Sequence, residues 1–231
     1  MKKIKIVSMA IFLIAIISCS AIIFANNDVG ASLKNKLSTF GKITFKYFNN
    51  QDKTVAFTVN GEDITLSQFN ERKELEQARG DSNVKDSDVI KSLVKNKLLL
   101  NEVKKRGIVI SDEEAMKNSL QEKENLYGSG TSDKDREAVL EYIKALGMSD
   151  DEYWNEYNVK QYKNFLAENT LYNQVTKDAE NSGEIKSENV SQSDFVKIKK
   201  QYFSDYKDDL YRNANIDFKD SSLKSMFDNN K

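Results

Sequence analysis

The run from Thr54 to Val59 has a two-residue period, with Val55, Phe57 and Val59 on one face of an extended chain and Thr54, Ala56 and Thr58 on the other. Asn60-Gly61 follows, a turn dipeptide because both residues tolerate positive φ. Past Ile64 the pattern becomes helical. Thr65 and Gln68 have the spacing of a capping box, opening a helix that Gly80 closes. A second helix is predicted from about Asp88 to Arg106, stopped by Gly107 with Ile108 placed for a Schellman contact. Ser111 with Glu114 opens another, to about Leu126, and Tyr127–Ser132 breaks it. The next covers Asp133–Leu146, with Gly147 as its stop and Met148 as its closing contact. Ser149 and Glu152 form a further capping box, and the long helix behind them is predicted to reach about Asp178.

At 100° per residue, Trp154, Tyr157, Phe165, Tyr172 and Val175 share one face of that helix, and Tyr162 and Leu166 widen the stripe. Residues 181–193 are polar and read as a loop. A last helix, Asp194 to about Asn213, carries Phe195, Ile198, Tyr202, Tyr206 and Leu210 at spacings of three and four. Asn215–Phe218 has the character of a short strand, and the tail after Lys219 is expected to be loose.

The front of the chain is different. Lys2, Lys3 and Lys5 flank Ile6–Ala25, 20 residues without a charge, enough to span a bilayer as a helix. The lysines favour a cytoplasmic N-terminus with the rest of the chain outside. The run is expected to be a retained anchor, a lipoprotein signal or a cleaved signal. The lipoprotein reading rests on Ile16-Ile17-Ser18-Cys19, which resembles a lipobox and makes Cys19 the candidate lipidation site. Against it, Ala21–Phe24 stays apolar beyond the cysteine. Ile23 fits a cleavage site after Ala25 poorly. Residues 26–53 read as a juxtamembrane stalk. Leu33, Leu37 and Phe40 recur at helical spacing with Lys34, Lys36, Lys42 and Lys46 between or beyond them. Such a helix either rests on lipid headgroups or packs on the main domain.

The stretch 54–114 resembles the N-terminal domain of SurA- and PrsA-type extracytoplasmic chaperones. The resemblance lies in the strand closing on Val59-Asn60-Gly61-Glu62, then Ile64-Thr65, the run Leu93–Glu102, and Lys104-Lys105-Arg106-Gly107-Ile108 followed by Ser111-Asp112-Glu113-Glu114. It extends over 149–218 and is not seen before 54. It implies a mainly α fold, a SurA N-terminal-like helical domain over 54–218 with a small two-stranded β element pairing 54–59 with 215–218. One transmembrane or signal helix precedes it, and 219–231 is a flexible tail. In SurA-like chaperones parvulin isomerase domains interrupt the chain about where 181–193 lies, and thirteen residues cannot hold a domain.

Composition narrows the chemistry. The chain has 231 residues, a net charge of -1, no His, no Pro and one Cys. Nothing electrostatic recommends nucleic acid, and Cys/His metal sites and internal disulfides are excluded. Asp112–Glu114 and Asp150–Glu152 fall in first helical turns, where acids complement the helix dipole, so they are not read as catalytic pairs. No cofactor is expected.

The resemblance implies a membrane-tethered, extracytoplasmic, ATP-independent chaperone binding unfolded or secreted polypeptides, without catalysis. The aromatic content is the positive clue: ten Tyr, twelve Phe and one Trp. Trp154, Tyr157, Tyr162, Phe165 and Tyr172 are the candidate client-binding residues, with plain core packing the alternative for each and Tyr162 expected to be the most exposed. A different class remains open: a non-catalytic scaffold binding one folded membrane partner. A peptidyl-prolyl isomerase is the third reading, set back by the missing module and the missing histidines.

Overall fold

The structure is a computed structural model that describes residues 29–50, 52–80, 83–186 and 190–228. In order, the elements are α1 (Val29–Asn49), β1 (Val55–Val59), β2 (Glu62–Thr65), α2 (Leu66–Ala78), α3 (Asp86–Lys105), α4 (Asp112–Tyr127) and α5 (Asp133–Ala145). They continue with α6 (Asp150–Glu152), a π-helical segment (Tyr153–Tyr157), α7 (Asn158–Ser182), α8 (Gln192–Arg212), β3 (Ile216–Phe218) and α9 (Ser221–Asp228). The protein is mainly helical with one small antiparallel sheet. The apolar run 6–25 and Cys19 lie outside the described residues. Among the described residues no helix is long and apolar enough to cross a membrane.

The chain forms two compact units. In its described residues, the first contains α1, the end of α2 from Glu74, and Ile110–Leu166. Its core gathers Leu33, Leu37 and Phe40 of α1, Leu126 of α4, Val139, Tyr142 and Ile143 of α5, and Tyr153 and Trp154. α1, the described helix within 26–53, packs its Leu33, Leu37 and Phe40 into this core. Gly41 explains how close α1 comes: a Cβ there would stand 2.7 Å from the Cβ of Ala145 and 2.8 Å from the Tyr142 carbonyl. Ser38 donates to Glu141 across the same contact.

The second unit contains the sheet, the start of α2, α3 and, in its described residues, the chain from Ala167 onward. Asn60 and Gly61 both take positive φ, 51° and 84°, so the predicted turn is a tight hairpin. The expected two-stranded element has a third strand. β1 pairs with β2 as well as with β3, giving the order β2-β1-β3. Glu62-Asp63 disguised β2, because acids are poor strand formers. The β1–β3 pairing lies where the resemblance placed it, with Phe57 opposite Phe218 and Val59 opposite Ile216. The Asn60 side chain accepts from the Asn215 N–H at 2.9 Å, and its own N–H donates to the Asn215 carbonyl at 2.8 Å.

Two boundaries differ from expectation for identifiable reasons. The tail beyond Lys219 is not loose over 221–228. Asp220 accepts from the N–H groups of Ser222 and Leu223, starting α9, and Leu223 and Phe227 are buried in the sheet core. α7 runs to Ser182 and ends at Gly183, which takes φ 77°. The predicted caps at Thr65/Gln68 and Ser149/Glu152 are both reciprocal boxes. At Ser111 the hydroxyl accepts from the Glu114 N–H.

Candidate polypeptide-binding surface

The aromatic stripe predicted on one face does not stay on one face. Between α6 and α7 the helix widens, and the Asn158 N–H bonds the Tyr153 carbonyl five residues back. A π turn holds one residue more than an α turn, so everything after it lags by about 100°. In an unbroken helix Tyr162 stands about 80° from Trp154 and Phe165 about 20°. The lag brings Tyr162 to within about 20° of Trp154 and swings Phe165 to about 80°.

Burial follows that rotation. Trp154 is 0% exposed and Tyr162 2% exposed, so the residue expected to be most open is a core residue. Trp154 packs edge-on to Tyr153 and donates from its indole to Asp150 at 2.9 Å. Tyr162 packs with Ala115 and Val159, and edge-on to Phe165. Tyr157 is half-buried, stacked on Tyr153, with its hydroxyl 3.3 Å from that of Tyr142. Phe165 is half-buried beside Ile110, Met116 and Leu166. These four belong to the first unit.

Tyr172, the fifth candidate, is in the second unit and half-buried, edge-on to Phe203 of α8 at 5.2 Å. That contact leads to a surface the sequence did not single out as a site. α8 is amphipathic, yet it has no fully buried residue over its 21 residues. Phe195, Ile198, Tyr202, Phe203 and Tyr206 are all half-buried, and Val196 is 44% exposed. At its C-terminal end Leu210 and Tyr211 pack against the sheet core, and polar contacts fasten the rest. Tyr206 donates to Glu102 at 3.0 Å, Tyr202 donates to Glu184 at 2.7 Å, Lys95 pairs with Asp208, and Lys199 pairs with Glu180.

The electrostatics agree with a half-open surface. Burial, then the bond to Glu102, raises the Tyr206 hydroxyl above its ordinary range. For Tyr202 the bond to Glu184 is the larger cause. Burial raises the Glu168 carboxyl, with Lys207 opposing it. Lys207 and Lys199 also stand over the rings of Phe203 and Phe195, at 5.4 and 4.8 Å. The result is a row of rings bordered by charges of both signs. Among the described residues no grouping of His, Cys, Asp and Glu can hold a metal ion. The spacing of α8 was legible in the sequence. Its incomplete burial was not, since periodicity reports which face is apolar and not what covers it.

Comparison with known families finds the SurA-like N-terminal domain over residues 1–143. The chain belongs to that family, which is of chaperone type. The matched residues begin at 1, well ahead of the stretch that carried the resemblance, and end within α5, before the π segment and α8. No curated protein and no solved structure was found to match it.

Proposed function

We propose that this protein is a membrane-tethered, extracytoplasmic, ATP-independent holdase that takes unfolded or secreted polypeptides on the aromatic face of α8, without catalysis. The observation that carries the reading is that face. Over about three turns it presents Phe195, Ile198, Tyr202, Phe203 and Tyr206, none fully buried, in a chain of a chaperone-type family. Half-covered rings hold apolar segments without demanding a sequence, and a tyrosine keeps a polar tip that tolerates water. Each contact is worth on the order of 25 cal/mol per Å2 of apolar area covered, so binding is additive and reversible. The uncharged run 6–25 behind Lys2, Lys3 and Lys5 supports tethering with the bulk of the chain outside. Tethering raises the local concentration of the surface near emerging chains.

The test is aggregation of an unrelated unfolded protein, followed by light scattering, with the full-length chain present. Suppression without added nucleotide is expected. Scattering that is unchanged at several-fold molar excess refutes the reading.

A further inference from the structure

Beneath α4 lies a polar cluster that neither the sequence pattern nor the proposed function uses. Ser119, Glu122, Asn158 and Tyr162 are 0%, 4%, 0% and 2% exposed, all within the first unit. The Ser119 hydroxyl donates to the Trp154 carbonyl at 2.5 Å, inside the π segment. Its one proton is thereby spent, so its oxygen accepts, and the Asn158 amide N–H provides the donor at 3.1 Å. The same amide nitrogen donates to Glu122 Oε2 at 3.0 Å. That bond chain fixes the amide orientation. The Tyr162 hydroxyl acts on the Glu122 carboxyl in favour of its charged form.

Counting donors against acceptors leaves the cluster short. The serine proton and both amide protons are committed, while Glu122 Oε1 and Asn158 Oδ1 remain buried without a donor. A second shortage is of charge. No ion pair reaches Glu122 among the described residues. Lys123, its neighbour on α4, turns instead to Asp150 at 2.7 Å and Asp151 at 3.3 Å. From the other elements the titratable groups that act on it are Tyr162 of α7 and Tyr153 of the π segment, both held neutral above their ordinary range by burial. A carboxylate there is desolvated, uncompensated and one donor short. A carboxylic acid is neutral and turns an orphan acceptor into a donor.

We propose that Glu122 is a proton-operated latch: carrying its proton it closes α4 onto the π segment and α7, and on ionising it loosens that seam and bares Tyr162 and Trp154. The position suits the role. The cluster joins the apolar core around Trp154 to the smaller one around Ala115, Val159 and Tyr162, so a rise in its energy is felt by both. Burial raises the Glu122 carboxyl to about 7, opposed by the Asn158 amide and the Tyr162 hydroxyl. The chain has no histidine to compete for that window. The latch operates whether or not α8 takes polypeptide.

Trp154 is the single tryptophan of the chain and reports the seam directly. In the full-length protein, acrylamide quenching of its fluorescence is expected to rise about threefold from about pH 6 to about pH 8, with a midpoint near neutrality. Glu122→Gln, which keeps the shape and supplies an amide donor, is expected to stay quench-resistant throughout. Tyr162→Phe removes a hydroxyl that favours the charged form, so its midpoint is expected to move to higher pH. A flat wild-type profile overturns the proposal. So does an E122Q profile that titrates like the wild type. A Y162F midpoint that stays or falls assigns the titration to another group and overturns it as well.

Discussion

In the first unit the rings of Tyr153, Trp154 and Tyr162 are sealed against α4, α5 and the π segment. In the second, α8 carries Phe195, Tyr202, Phe203 and Tyr206 on one face and seals none of them. Both stretches read as amphipathic aromatic helices. The difference lies in what meets them. The first has neighbours on several sides and a π turn that rotates Tyr162 inward. The second rests Leu210 and Tyr211 on the sheet core and is otherwise held by ion pairs and tyrosine hydroxyls. A sealed ring gives its area to folding, whereas a half-open one keeps area for a partner.

That contrast breaks most visibly at Trp154. Trp154→Ala is expected to cost about 3–5 kcal/mol, read by urea denaturation with circular dichroism. A loss below about 1 kcal/mol means the first unit is not the packed body described.

Glu122 gives the next largest effect and a sign. Its carboxyl is raised from 4.5 to about 7 in the folded protein. Between those values the folded state keeps a proton that the unfolded chain has released, so stability falls as pH rises through the window. Glu122→Gln is expected to be more stable than the wild type by about 3 kcal/mol above the window, with the difference vanishing below it. Denaturant midpoints across pH check this, and a gap that widens in acid contradicts it.

Gly41 tests the docking of α1. Gly41→Ala is expected to destabilise by about 1–3 kcal/mol, because the methyl meets Ala145 and backbone rather than a mobile side-chain end. A neutral result returns α1 to the role of a free stalk. The smallest structural effect is expected on α8, where Val196→Lys changes stability by no more than about 0.5 kcal/mol while weakening suppression of aggregation. If both properties fall together, the face is structural.

Much of the fold was legible in local chemistry. Asn60-Gly61 fixes the hairpin, and the serines and threonine at 65, 111 and 149 start their helices where their hydroxyls can accept a backbone N–H. The β1–β3 pairing was legible only through family resemblance, since no local signal joins residues so far apart. The π turn left no trace in the pattern, and with it went the facing of Tyr162 and Phe165. α9 was hidden because its short apolar set, Leu223 and Phe227, looks like a tail until the sheet is there to receive it. The openness of α8 is a tertiary fact.

A photo-crosslinking residue at position 196 of the full-length protein tests the aromatic face most directly. With a reduced, unfolded protein offered beside its folded form, the account predicts crosslinks to the unfolded chain alone. Equal crosslinking of both forms, or none to either, contradicts it.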